Sequence, residues 1–205
     1  MLLLVNNSTD GNRLSFIIQV RHTLKNLKIP YIETKRVDRN LIKKYKSKIK
    51  GIILSGSPMM LHTEDISSYN FDIFYMMTLD VPVLGICFGS QLMTILNGGK
   101  LKPLHKFVCD VLPTTIETNS FLFRGVEVYN KNKINMKFCF SNLPVKPRDN
   151  GEVLASIFLD GKKTPISFKY SDKLFCILGH PEIEMKTHMI YMNFYNYCLS
   201  WSKTA

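Results

Sequence analysis

Long apolar runs are missing from this 205-residue sequence, as are internal repeats, low-complexity tracts and linker-like stretches. Nothing in it approaches the roughly 20 apolar residues that a membrane helix needs, so no membrane partner is expected. The opening Met1 to Val5 is too short an apolar run for a secretory signal and follows no basic leader. Cysteine is sparse, with five in the chain. Without an export signal these are expected to be reduced thiols, not a disulfide framework. No phosphate-loop pattern for adenylation is present, so any ATP-dependent step belongs to another chain. These absences point to a cytoplasmic enzyme or binding protein.

Acid is also short: 16 acidic residues face 27 basic ones, a formal net charge of +11. Five of the lysines crowd into residues 43–50, "KKYKSKIK". A basic stripe can be a footprint for phosphates. The same spacing fits a solvated helix face with Tyr45 and Ile49 turned inward. No nucleic-acid motif accompanies the charge, so nucleic acid is not expected, and an acidic partner protein would suit the same surface.

Hydrophobic residues make up 45% of the chain, enough for a sizeable core, and the length suits one domain over residues 1–205. "MLLLVNN" predicts a buried strand stopped by Asn6, Asn7 and the Asp10-Gly11 turn signal. Leu14, Ile17, Ile18, Val20, Leu24 and Leu27 then recur at helical spacing. Strands are expected at "IPYIETKR", "GIILSG" and "VPVLGI". Helices are expected between them, over residues 67–80, and at "SQLMTILNGG", which Gly98 and Gly99 end. This alternation predicts an α/β fold, a mostly parallel open sheet flanked by helices. After residue 101 the segments 107–129, 136–143 and 152–178 are β-rich and separated by "NKNK" and "PRDNG". They predict an appended antiparallel β segment. A helix over "MKTHMIYMNFYNYCLSW" closes the sequence.

"PVLGICFGSQLMTILNGG", residues 82–99, runs a strand directly into a helix through a cysteine flanked by glycines. That is the layout of a nucleophile elbow. Gly85 and Gly89 supply backbone freedom. Cys87 would stand at the carboxyl end of a strand, where open α/β sheets bind ligands. It would also sit at a helix N-terminus, which favours thiolate. A buried cysteine at an ordinary strand end is the plainer alternative. Of five histidines, His22, His62, His105 and His188 fall in surface helix, loop or final-helix positions. His180 follows a β-rich run and is held by Pro181. With one residue between them, His180 and Glu182 can reach the same region, as a base and its orienter do. A loop histidine beside a solvated glutamate remains open at this point.

Gly85-Ile86-Cys87-Phe88-Gly89-Ser90-Gln91 resembles the G-x-C-x-G-x-Q nucleophile motif of the class I (triad-type) glutamine amidotransferases. "GHPEIE" resembles that family's H-P-E segment and "GIILSGSP" its oxyanion loop. "LMTILNGGK", "FLFRG", "FCFSN" and "GEVLAS" extend the likeness in order along nearly the whole chain. Within the family the resemblance is greatest to the glutaminase domain of GMP synthetase. It implies a flavodoxin-like fold and hydrolysis of L-glutamine to glutamate and ammonia through a γ-glutamyl thioester. No cofactor or metal is implied. The ammonia would pass to an ATP-dependent synthetase carried by another chain, in trans.

Carried over by position, the resemblance makes Cys87 the nucleophile, His180 the base and then acid, and Glu182 the orienter. Gly56, Ser57 and Phe88 would form the oxyanion hole. Gln91, Ser141, Asn142 and Leu143 would contact the substrate. Two departures stand out. Ser57 occupies a place where glycine is usual, and Leu143 follows "FCFSN" where a His-Gly pair is common. A γ-glutamyl amide or peptide hydrolase of the same fold and a catalytically idle binding homologue are the rival readings.

Overall fold

A computed structural model describes residues 1–8, 16–58, 70–130, 132–147 and 150–201. The Asp10-Gly11 turn, Leu14, His62 and residues 67–69 lie outside this set.

The strands are β1 (Leu2–Val5), β2 (Tyr31–Thr34), β3 (Gly51–Leu54), β4 (Val83–Ile86), β5 (Lys100–Ile116), β6 (Lys133–Val145), β7 (Glu152–Leu159), β8 (Lys162–Ser171) and β9 (Leu174–Ile177). The helices are α1 (Ile17–Asn26), α2 (Arg39–Tyr45), α3 (Asn70–Met77), α4 (Phe88–Leu96) and α5 (Met189–Trp201). The nine strands among the described residues form one sheet in the order β2-β1-β3-β4-β9-β8-β7-β5-β6.

The first four strands and β9 pair in parallel. The strands from β9 outward pair antiparallel. Parallel pairings are thus half of the sheet, not most of it. The antiparallel strands continue the same sheet from β9.

Side-chain alternation explains why β1, β3 and β4 are apolar at every position. Leu2, Leu4, Ile53, Leu84 and Ile86 pack into a core on one face with Ile17, Val20 and Leu24 of α1 and Ile190, Tyr191 and Phe194 of α5. Leu3, Val5, Ile52, Leu54 and Val83 pack on the other with Met76 of α3 and Phe88 and Leu92 of α4. A strand covered on both faces has no solvent side for polar residues. Each such side chain contributes about 1.5–3 kcal/mol on burial.

α2 ends at Tyr45, capped at its start by Asp38, whose carboxylate accepts from the Leu41 N–H at 2.8 Å. Ile49 still turns into the core, but from a turn beyond the helix. His105 lies within β5, not in a loop, and His188 precedes α5. No helix among the described residues is long and apolar enough to cross a membrane.

The position of β9 matters most for the site. It pairs with β4 in parallel, Ile86 opposite Ile177. The chain therefore leaves β4 and β9 at the same edge of the sheet, Cys87 from one strand and His180 from the other.

Candidate active site

Cys87 joins β4 to α4 with φ 48° and ψ −104°, a left-handed φ that a non-glycine residue adopts only at a cost. Its N–H donates to the Ile177 carbonyl at 2.8 Å, which fixes the corner to β9. Its side chain does not cap α4. Sγ points instead at the Cys139 carbonyl, 3.5 Å away.

The glycines serve closeness more than freedom, because neither Gly85 nor Gly89 has a positive φ. A Cβ on Gly85 would lie 2.6 Å from the Gly89 carbonyl oxygen. One on Gly89 would collide with the Leu54 backbone. The strained residue is the cysteine, and the glycines let α4 press against β3 and β4.

His180 is buried, and its backbone N–H donates to the Lys137 carbonyl of β6 at 2.7 Å. Nδ1 lies 2.8 Å from Glu182 Oε1. A carboxylate only accepts, so Nδ1 carries the proton of that bond and Nε2 is the nitrogen left for chemistry. Nε2 is buried. Burial would lower the pKa of this ring. The Cys87 charge, then that of Glu182, and hydrogen bonding to both outweigh it and push it up to about 10. The Phe16 ring packs edge-on against the imidazole, centroids 4.5 Å apart.

The segment carrying this pair is pinned from behind. Tyr191 of α5 donates to Glu182 Oε2 at 2.8 Å. Burial, then the Glu182 charge, holds its hydroxyl well above its usual pKa, so it stays a donor. His188 Nε2 donates to the Glu182 carbonyl at 3.0 Å, and Thr187 Oγ1 to that of Pro181 at 2.8 Å.

Cys87 and His180 share a cavity of about 360 Å³. Ser57, Phe88, Gln91, Ser141 and Asn142 also line it. Gln91 Nε2 donates to the Asn142 carbonyl at 3.0 Å, joining α4 to β6. Gly56 and Leu143 are not among the residues that line the cavity. Gly56 is buried, its carbonyl accepting from Ser55 Oγ at 2.9 Å. Leu143 stands opposite Lys102 and packs into the core.

The thiol expectation also needs correction. Cys109 and Cys139 stand directly opposite each other on β5 and β6, Cα atoms 4.1 Å apart, and form a disulfide. They are 30 residues apart in sequence, and only the strand register brings them together. Cys87, Cys176 and Cys198 are free.

Phe16, Phe107 and Tyr191 were not legible as site residues in the sequence. Among the described residues no group of three His, Cys, Asp or Glu side chains is arranged to hold a metal ion.

Residues 10–197 match the family described as glutamine amidotransferase class-I. A glutamine-hydrolyzing GMP synthase subunit of Methanobrevibacter smithii is 29% identical over 206 residues, covering 96% of this chain and 95% of its own. The glutamine-hydrolyzing GMP synthase of Clostridium tetani is 28% identical over 135 residues, 66% of this chain. The match covers only 25% of that longer relative. Among solved structures, a candidate GMP synthase subunit of Thermoplasma acidophilum superposes with a TM-score of 0.77 at 17% identity, covering 99% of this chain and 96% of the other. A glutamine amidotransferase of Thermotoga maritima gives 0.65 at 15% identity, covering 100% and 85%. The fold is therefore shared, and the chain belongs to the class I glutamine amidotransferase family.

Proposed function

We propose that this chain hydrolyses the side-chain amide of glutamine through Cys87, His180 and Glu182, and supplies the ammonia to a separate synthetase. One observation carries the reading: the imidazole held by Glu182 at 2.8 Å shares a cavity with a thiol on a strained strand–helix corner.

The Cys87 sulfur, its proton taken by His180 Nε2, bonds to the γ-carbon of glutamine. Negative charge on the carbonyl oxygen is stabilised by the N–H groups of Phe88, at the positive end of α4, and of Ser57. The C–N bond then breaks. His180 hands its proton to the leaving nitrogen, ammonia departs, and a γ-glutamyl thioester remains on Cys87. Water, deprotonated by His180, attacks the thioester. Glutamate leaves as the sulfur departs as thiolate, and His180 keeps the proton taken from water, restoring the starting pair. Glu182 holds the ring in the tautomer these steps require and does not itself react. Gln91, Ser141 and Asn142 bind the polar end of the substrate.

The relatives named GMP synthase support a GMP synthetase as the ammonia acceptor. The test is release of glutamate and ammonia by the purified chain, on its own and with a GMP synthetase partner, beside Cys87→Ala. Glutamate from the native chain in either setting, and none from Cys87→Ala, is the expected result. No release in either setting returns the chain to an idle homologue.

A further inference from the structure

The cavity is better furnished for an apolar group than glutamine alone requires. Its volume of about 360 Å³ falls within the roughly 300–1,000 Å³ that holds drug-sized ligands, and glutamine is smaller than those. Among the described lining residues there is no Asp, Glu, Lys or Arg. Polar lining gathers where α4 meets β6, at Gln91, Ser141 and Asn142. Phe88 of α4 and Phe140 of β6 add apolar lining there, and the rest of it comes from Phe16 ahead of α1, Phe107 on β5 and the Cys109–Cys139 disulfide.

Phe107 is the telling residue. The β5–β6 register jumps between Pro103, opposite Asn142, and Val108, opposite Phe140. β5 thus carries extra residues there, in a bulge that ends on Phe107. Bulges beside active sites re-aim side chains. Here the bulge leaves a phenylalanine 63% exposed while it lines the cavity that contains the thiol. So exposed a ring contributes little to the core, and covering it with an apolar ligand is favourable.

We propose that the cavity accepts γ-glutamyl amides whose nitrogen carries an apolar or aromatic group, with Phe107 as the specificity-determining residue. This rests on Cys87 attacking a γ-glutamyl amide. The polar α4–β6 side takes the amino-acid end, and the substituent lies against Phe107 and Phe16. The chemistry is that given above, with a primary amine leaving in place of ammonia after it takes the proton from His180.

The test compares kcat/KM for γ-glutamyl anilide with that for glutamine in the native chain, Phe107→Ala and Phe107→Leu. The anilide should be turned over, and its kcat/KM relative to glutamine should fall about tenfold or more in Phe107→Ala. Phe107→Leu should retain most of that preference. Calorimetry on Cys87→Ala needs no turnover: anilide should bind with a negative heat-capacity change that shrinks when Phe107→Ala is added. A native chain that hydrolyses glutamine yet neither binds nor hydrolyses the anilide overturns this proposal and leaves the glutaminase reading standing. Anilide binding to Cys87→Ala, with no amide turned over by the native chain, supports the pocket and sinks the glutaminase reading.

Discussion

Tyr191 donates to Glu182 Oε2 at 2.8 Å while Oε1 of the same carboxylate lies 2.8 Å from His180 Nδ1. Both oxygens of a buried carboxylate are thus engaged, and rotation of either partner would leave one unpaired. Tyr191→Phe removes a charge-assisted hydrogen bond worth about 1.5–3 kcal/mol. The expected result is a loss of roughly ten- to a hundredfold in glutaminase kcat. Combined with Glu182→Gln, the tyrosine change should add little. Additive losses would show that Tyr191 acts on something other than Glu182.

His180 gives a prediction in pH. Its pKa is pushed up to about 10 against the effect of burial, with the Cys87 charge the largest raising influence. The ring should therefore remain an imidazolium across neutral pH, visible in its nitrogen shifts by NMR. Cys87→Ala deletes the main influence that raises the pKa and leaves burial opposed by Glu182 alone. The His180 pKa should then drop, and the ring should lose its proton at lower pH than in the native chain. An unchanged titration in Cys87→Ala would show that the thiol and the ring do not interact.

Cysteine labelling separates an activated thiol from a merely accessible one. Cys176 and Cys198 are fully buried, and burial pushes both thiols up. Cys109 and Cys139 are bridged. A glutamine-analogue electrophile should therefore modify Cys87 first. Cys109 and Cys139 should become alkylatable only after treatment with a dithiol reductant. Equal labelling of several cysteines by peptide mass spectrometry would count against the assignment of Cys87.

The order of strand and helix through residue 99, the elbow at Cys87 and the His180–Glu182 pair were legible because each rests on local chemistry. Periodicity reports burial within one element, and a histidine two residues from a glutamate needs no long-range information. The return of β9 beside β4 was not legible, since strand pairing across some 90 residues leaves no periodic mark. The same blindness hid the Cys109–Cys139 bridge, which the β5–β6 register fixes. Phe107 could not be found at all, because a bulge changes which side a residue faces without changing the composition around it.

Ser57 supplies a prediction about idleness. Neither Gly56 nor Ser57 has a positive φ, and the Gly56 carbonyl is held by Ser55 Oγ at 2.9 Å. Ser55 Oγ in turn accepts from the Asn7 N–H at 3.0 Å. Turning the Ser57 N–H further inward requires breaking this chain of bonds and placing a Cβ where glycine is easier. A missing oxyanion donor costs roughly 10²–10³ in turnover. Ser57→Gly should therefore raise the glutaminase rate of the isolated chain, and a synthetase partner should stimulate the native chain more than the variant. A native chain that is already brisk alone, with Ser57→Gly making no difference, would refute this restraint.

At the centre of the proposed chemistry, the Cys87 sulfur bonds to the γ-carbon of glutamine. The most direct measurement mixes the chain with glutamine, with and without a GMP synthetase partner, quenches in acid and maps peptides by mass spectrometry. The predicted result is a γ-glutamyl adduct on the peptide bearing Cys87, transient in the native chain and absent from Cys87→Ala. Glutamate released while that peptide stays unmodified at every quench time, or released equally by Cys87→Ala, would contradict it.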